Sequence, residues 1–326
     1  MECNSEIGLD GVNLCLQLTE QHNQVFLDEK ALLNEYGKAY SHFSVTRGKL
    51  EMDFNFPLSI WRDNVKSFSQ VDFPRLENMK NSLVGEIEWY LGEHDVVCNL
   101  FDCIVTSAEV NRTCRVVNGC QPHQIVNLVN RSIYHSSNKV YQRAAKECPY
   151  IKEDESVWTA PSRGNSRYYY KCYDKTREQI NDGNTDVEDG LARLEVAFKR
   201  KALKMLFGAD LTLGTIFTPD SLIMLIAEYK RVFRENLMVK HINPCLQRIE
   251  NILFEHLVEH ESPIKTVAKY RDIIVDIEIL RRALKKWYKL RGIPDYSKQE
   301  IRSLKSCGLP TGVEKTIEQF LLFDCE

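Results

Sequence analysis

Residues 50–56 read Leu-Glu-Met-Asp-Phe-Asn-Phe, a strict apolar–polar alternation closed by Pro57. A period of two puts Leu50, Met52, Phe54 and Phe56 on one side of a pleated strand and Glu51, Asp53 and Asn55 on the other, a pattern no amphipathic helix shares. Three more runs have strand character. Ile104-Val-Thr-Ser-Ala-Glu-Val-Asn-Arg-Thr-Cys-Arg-Val-Val117 ends at Asn118-Gly119, a tight-turn pair. Arg167–Tyr173 follows the breaker-rich 160–166, and Arg193–Lys199 follows a loop that begins Asn181-Asp-Gly-Asn-Thr.

Elsewhere the period is helical. Leu14, Leu16, Val25, Leu27, Leu32 and Leu33 predict helix over Asn13–Tyr36, so residues 1–45 are expected to form an N-terminal helical segment. Gln124–Leu128 reads as a helix start, and Lys201–Phe207 as a helix stopped by Gly208. Beyond Pro219 the pattern predicts helices over Ser221–Val239, Leu246–His260, Ile264–Leu290 and Val313–Leu322, separated at Pro244, Ser262-Pro263, Gly292-Ile-Pro294 and Leu309-Pro-Thr-Gly312. The expected fold class is α+β: an antiparallel-sheet core with flanking helices over 46–210, then an all-helical C-terminal domain over 211–326.

Composition narrows the function classes. The chain has 326 residues, with 43 Lys+Arg against 46 Asp+Glu and a formal net charge of −3. That balance argues against binding nucleic acid by bulk positive charge. It averages over segregated charge, however: the acids of 182–189 and 255–261 offset basic clusters at 163–177, 199–204 and 281–291. Eleven cysteines are an odd number with no C-x-x-C pair and no zinc-finger spacing. The N-terminus lacks the basic and apolar run of a secretory signal, and the apolar stretch Ser221–Ala227 is far short of the roughly 20 residues that span a bilayer. Reduced thiols in a cytoplasm and no membrane partner are therefore expected, a redox-active cysteine pair being the alternative.

Alternation sorts the polar side chains by face. Glu109, Asn111 and Thr113 share one face of their run; Arg167, Tyr169, Lys171 and Tyr173 share another, in line with Lys175; Arg193, Glu195 and Lys199 share a third. Strands placed in one sheet would gather acids, lysines and tyrosines on a single polar face. That set suits attack by a tyrosine hydroxyl on a phosphodiester, with Glu109 and Glu195 as ligands for a divalent cation that neutralises the phosphate. A lysine two residues from the tyrosine would lower its pKa or stabilise the developing charge. A solvated or edge strand face is the competing reading of the same pattern.

The run Ile104–Glu109, then Ser156-Val-Trp-Thr159, Ser166-Arg-Tyr-Tyr-Tyr-Lys-Cys-Tyr-Asp-Lys175, Leu191–Lys199 and Ala202-Leu-Lys-Met-Leu-Phe-Gly208 resembles, in order and spacing, the filamentous-phage gene II-type (gene II/X) rolling-circle replication initiators. Arg281–Gly292 and Ser306-Cys-Gly-Leu-Pro310 resemble that family's tail. The resemblance covers roughly residues 100–310 and is best over 156–208. It implies a nuclease core that nicks the plus strand of a double-stranded origin, holds the 5′ phosphate on a tyrosine and later rejoins the displaced single strand. By position it implies Tyr173 as nucleophile, Lys175 as its neighbouring base, and Glu195 and Glu109 as the acids. Magnesium or manganese is the implied cofactor, and a host helicase an implied partner. Arg167, Tyr169, Lys171, Arg193, Lys199, Arg200 and Lys201 would grip DNA. One departure is Ser107-Ala108-Glu109 where the family often has Arg-Ile-Asp, which leaves the local phosphate contact open.

Other residues compete for attention. Tyr170 is a fallback nucleophile on the opposite face from Lys171. His256-Leu-Val-Glu-His260 has a spacing that can hold zinc, although a charged helix face explains it more simply. The basic helix at 281–291 contains Trp287 and Tyr288 and suits origin DNA, a membrane surface or no ligand. A non-catalytic origin-binding regulator is the rival function. A tyrosine recombinase needs Arg, His and Arg ahead of a late tyrosine, and Tyr296, the last one, has no such set before it.

Overall fold

The computed structural model describes residues 7–18, 40–46, 48–61, 67–69, 72–93, 97–116, 121–134, 163–164, 166–293, 304 and 308–311. Seven strands form one antiparallel sheet: β1 (Gly8–Gln17), β2 (Tyr40–Thr46), β3 (Lys49–Asn55), β4 (Ile104–Arg115), β5 (Arg163–Gly164), β6 (Tyr168–Asp174) and β7 (Leu191–Lys199), in the order β2-β3-β1-β4-β7-β6-β5. The protein is thus α+β, and β3, β4, β6 and β7 are the strands expected from alternation.

The N-terminal expectation is corrected. Residues 13–17 belong to strand β1, flanked by β3 and β4 in the middle of the sheet. Val12, Leu14 and Leu16 alternate with Asn13, Cys15 and Gln17, a period of two hidden beside the helical spacing of the residues that follow. Residues 19–39, which carry the rest of that expectation, lie outside the described residues, as do Ser156–Thr159 and 313–322.

Helices connect and cover the sheet: α1 (Phe56–Trp61), α2 (Phe73–Glu93), α3 (Pro122–Tyr134), α4 (Lys175–Asn181), α5 (Arg200–Phe207), α6 (Leu213–Ile216), α7 (Pro219–Val232), α8 (Asn243–His260), α9 (Pro263–Tyr270) and α10 (Ile277–Leu290). Gly208 ends α5 in the left-handed region at φ 74°, as its sequence position implies. Pro244 does not end a helix. A π-helical stretch, Phe233–Ile242, joins α7 to α8, and Pro244 stands in the first turn of α8, where a proline is tolerated. Ile264–Leu290 is two helices rather than one, because Asp276 caps α10 by accepting a hydrogen bond from the Glu278 N–H at 2.9 Å.

The two sheet faces differ in kind. Ala108, Val110 and Cys114 of β4, Leu194, Val196 and Phe198 of β7, and Tyr168, Tyr170 and Cys172 of β6 are buried in the core with apolar residues of α3, α7 and α8. Tyr229 of α7 donates to the Leu194 carbonyl at 3.2 Å, fixing α7 against β7. Phe56 packs among Phe54, Phe68 and Phe217, with ring centroids 4.9, 5.8 and 5.4 Å apart. That aromatic cluster anchors residues 67–69, which pair with Leu9 of β1. It thereby supports one wall of the opposite, polar face.

Candidate functional site

The polar face collects what alternation implied. Register places Lys171 opposite Glu195, Tyr173 opposite Arg193, Asn111 opposite Glu195 and Thr113 opposite Arg193. Tyr169 and Glu109 flank Ala197 from its two sides. Opposed residues on one face bring their Cβ atoms within about 5 Å, so the side chains meet without any loop to position them.

One more residue, from β1, completes the set. Gly8 pairs with Asn111, Leu9 with Val110 and Gly11 with Glu109, leaving Asp10 as the extra residue of a bulge. Bulges re-aim side chains, and here Asp10 joins the polar face while Leu9 and Val12 both stay in the core. Gly8 permits the close crossing of residues 67–69: a Cβ on it would lie 2.4 Å from the Phe68 carbonyl oxygen. On that crossing, the Ser67 hydroxyl donates to Asn111 Oδ1. The other end of the Asn111 amide, Nδ2, is buried with no hydrogen-bond partner.

Asp10, Glu109 and Glu195 each offer a carboxylate oxygen within 4.8 Å of the others. Asp10 and Glu195 are buried; Glu109 is half-buried at the mouth. Lys171 Nζ donates to Glu109 Oε1 at 3.1 Å and lies 3.3 Å from Glu195 Oε2. The Tyr173 hydroxyl donates to Glu195 Oε1, so both oxygens of Glu195 are engaged. Beneath them, Arg193 donates from Nε to Thr113 Oγ1 at 2.7 Å and from Nη1 to Asp10 Oδ1 at 3.5 Å.

The electrostatics follow from crowding three acids into a desolvated place. Burial, only partly offset by Arg193, raises the Asp10 carboxyl to about 6. Burial and the neighbouring Glu195 raise Glu109 to about 7, against the pull of Lys171. Burial alone would lower Lys171, but Glu195 and Glu109 outweigh it and hold the ammonium charged. Burial, with Glu195 beside it, pushes the Tyr173 phenol well above its usual 10. Carboxylates held in this way gain from a multivalent cation, and hard oxygen donors suit magnesium or manganese. The three acids therefore fit a divalent ion.

Strand β6 ends at Asp174, the residue after Tyr173, which caps α4 by accepting from the Arg177 N–H at 3.0 Å. Lys175 consequently leaves the strand row and turns inward. It is 0% exposed, pairs with Glu178, and lies 5.7 Å from the Tyr173 ring centroid. Burial, then Arg193, lowers its pKa despite Glu178.

The expected DNA-gripping residues separate into two groups. Arg193 is corrected: with 0% of its side chain exposed it has no surface for DNA and instead braces Asp10 and Thr113. Arg167, Arg200 and Lys201 are exposed, Tyr169 and Lys199 are half-buried, and Lys199 Nζ lies 5.7 Å from the Tyr169 ring centroid. Arg200 reaches Asp210 through Nε and Nη2 at 2.8 and 2.9 Å, beside an open cavity of about 610 Å³ lined by Arg200, Lys201, Lys204 and Met205. Tyr170 is buried on the core face, away from the acids. His256 is buried, with Nδ1 2.9 Å from Thr266 Oγ1 and its ring edge-on to Tyr270, which is a packed core histidine. Trp287 and Tyr288 are buried, and Arg282 and Lys286 converge on Glu250 at 2.8 and 2.5 Å. The outer face of α10 thus presents basic side chains without its aromatic ones.

Asp10 is not among the sequence candidates, because the helical spacing over Asn13–Tyr36 masks strand β1. The signal that would have found it is the alternation at Val12–Gln17, preceded by two glycines around a lone acid. No protein-family model and no curated protein matches this chain. Among the described residues, no helix is long and apolar enough to cross a membrane.

Proposed function

We propose that the chain is a DNA nickase and strand-transferase in which Tyr173 attacks a backbone phosphodiester, as the resemblance to gene II-type initiators implies. The observation that carries the reading is the hydrogen bond from the Tyr173 hydroxyl to Glu195 within the Asp10–Glu109–Glu195 cluster. A phenol needs a base and a nearby cation to become a nucleophile, and this arrangement offers both in one place. Glu195 accepts the phenolic proton as Tyr173 Oη bonds to phosphorus and the P–O3′ bond breaks, leaving a 5′ phosphate on the tyrosine and a 3′ oxyanion that takes a proton from water to become the free 3′ hydroxyl. Lys175, its charge weakened by burial, stands beside the Tyr173 ring to take or return a proton. Asp10, Glu109 and Glu195 would hold the divalent ion, which supplies charge neutralisation at the scissile phosphate. Lys199, Arg200, Lys201 and Arg167, with Tyr169 as a stacking ring, would track the strand toward that phosphate.

In domain terms, the sheet with its polar face serves as the nicking core and the helices after Gly208 as the C-terminal support. The partners would be double-stranded origin DNA and the single plus strand, in a bacterial host's cytoplasm with a host helicase. One observation favours the rival reading of a non-catalytic origin-binding protein: Tyr173 is only 6% exposed. A single experiment separates the two. Supercoiled origin plasmid is incubated with the protein and Mn²⁺, and any covalent adduct is mapped by peptide mass spectrometry. Nicking with a 5′ adduct on Tyr173, abolished by Tyr173→Phe, supports the enzyme. Salt-sensitive binding without nicking supports the regulator, and an adduct on another tyrosine removes Tyr173 from the role.

A further inference from the structure

Lys171 sits where a cation bridging the site would sit. Its ammonium lies 3.1 Å from Glu109 Oε1 and 3.3 Å from Glu195 Oε2, the acids at the mouth and at the centre of the cluster. A divalent ion bound by the same oxygens would stand about 2.0–2.6 Å from each, leaving no room for Nζ between them. The two occupants are therefore mutually exclusive at those atoms. We infer that Lys171 is a built-in counter-ion for the empty site, which holds Glu109 and Glu195 together and is displaced outward when the divalent cation enters. This rests on the metal-binding reading above and concerns how that same site is loaded.

Three features support the displacement. The Lys171 side chain is 34% exposed, so its ammonium can reach solvent without unpacking the sheet, whereas Glu195 at 4% cannot move out to meet an ion. With Lys171 removed, the remaining cations act on Asp10 from beneath, Arg193 at 3.5 Å and Lys175 through space. Neither of those cations stands at the mouth beside Glu109, where Lys171 offsets the mutual repulsion of Glu109 and Glu195. The displaced ammonium also stays useful. It hangs from β6 two residues before Tyr173, on the same face, and once clear of the acids it can pair with an anionic phosphate oxygen brought to that tyrosine.

Mutation and direct chemistry together test this. Mn²⁺ affinity of the full-length protein is measured by isothermal titration for the native chain, Lys171→Met, Lys171→Gln and Glu109→Gln. Removing a competing cation should tighten Mn²⁺ binding on the order of tenfold in both Lys171 variants, while Glu109→Gln weakens it. In the native protein, the acylation rate of Lys171, followed by mass spectrometry, should rise several-fold when Mg²⁺ or Mn²⁺ is added, since the amine moves into solvent. Unchanged or weaker Mn²⁺ binding in the Lys171 variants, or an acylation rate that stays flat or falls with metal, overturns the counter-ion role and leaves the metal site standing. Absence of Mn²⁺ binding in the native chain and all variants overturns the metal site itself, and this inference with it.

Discussion

Arg193 is the side chain whose removal should cost the most at the polar face, and its cost should depend on pH. It is fully buried, with its Nε on Thr113 at 2.7 Å and its Nη1 on Asp10 at 3.5 Å. Breaking a buried ion pair from one side typically costs about 3–5 kcal/mol, because the remaining charge is left uncompensated. In Arg193→Met that stranded charge is Asp10, whose carboxyl burial already raises to about 6 with Arg193 pulling it down. Without Arg193 the folded-state value climbs further. A carboxyl raised above its unfolded value binds its proton more tightly when folded, so it lowers stability progressively as pH rises through the gap between the two values. For the native chain that gap closes near pH 6; for the variant it extends higher. Near pH 5 Asp10 is protonated in both proteins, and the substitution should cost only about 1–2 kcal/mol, mainly the hydrogen bond to Thr113. Near pH 7.5 the loss should approach the full 3–5 kcal/mol. Urea unfolding followed by tryptophan fluorescence at the two pH values measures this, and adding Asp10→Asn to the variant should recover much of the neutral-pH loss. An equal loss at both pH values, or no recovery in the double variant, would refute the assignment of Arg193 as the brace for Asp10.

Two further outcomes follow from the same face. Gly8→Ala places a Cβ 2.4 Å from the Phe68 carbonyl oxygen, so residues 67–69 must shift. Calorimetry should show a loss of about 1–3 kcal/mol, the usual range for overpacking, with weaker Mn²⁺ binding because Asp10 follows two residues later. Mn²⁺ at a hundredfold excess over its Kd should stabilise the native chain by about 2.7 kcal/mol, through binding the folded state alone. Thermal melts of Asp10→Asn and Glu195→Gln should lack that shift, whereas a full shift in either variant would exclude the residue as a ligand.

Much of the site was legible as local pattern. Alternation placed Glu109, Asn111 and Thr113 on one face of β4, Lys171 and Tyr173 on one face of β6, and Arg193 and Glu195 on one face of β7. That holds because a strand's period is a property of its own backbone, whatever its neighbours are. The described helices between Pro219 and Leu290 were legible from their own spacing too, apart from the π-helical stretch ahead of Pro244 and the cap at Asp276, which spacing alone does not reveal.

What the chain could not declare locally was adjacency and depth. Lys171 meets Glu195, and Tyr173 meets Arg193, only because β6 and β7 pair in one register, and a slip of one residue would send each to the core. Asp10 enters the cluster only because β1 runs between β3 and β4 and bulges opposite Glu109, a pairing about a hundred residues away in sequence. Polar residues on an alternating strand imply a wet face, yet Arg193 and Tyr173 are buried on this one, and Lys175 is buried just past its end. Sequence determined which side chains could share a face. The tertiary structure decided which faces meet and which of them lose water, because burial and cross-strand distance depend on every strand at once.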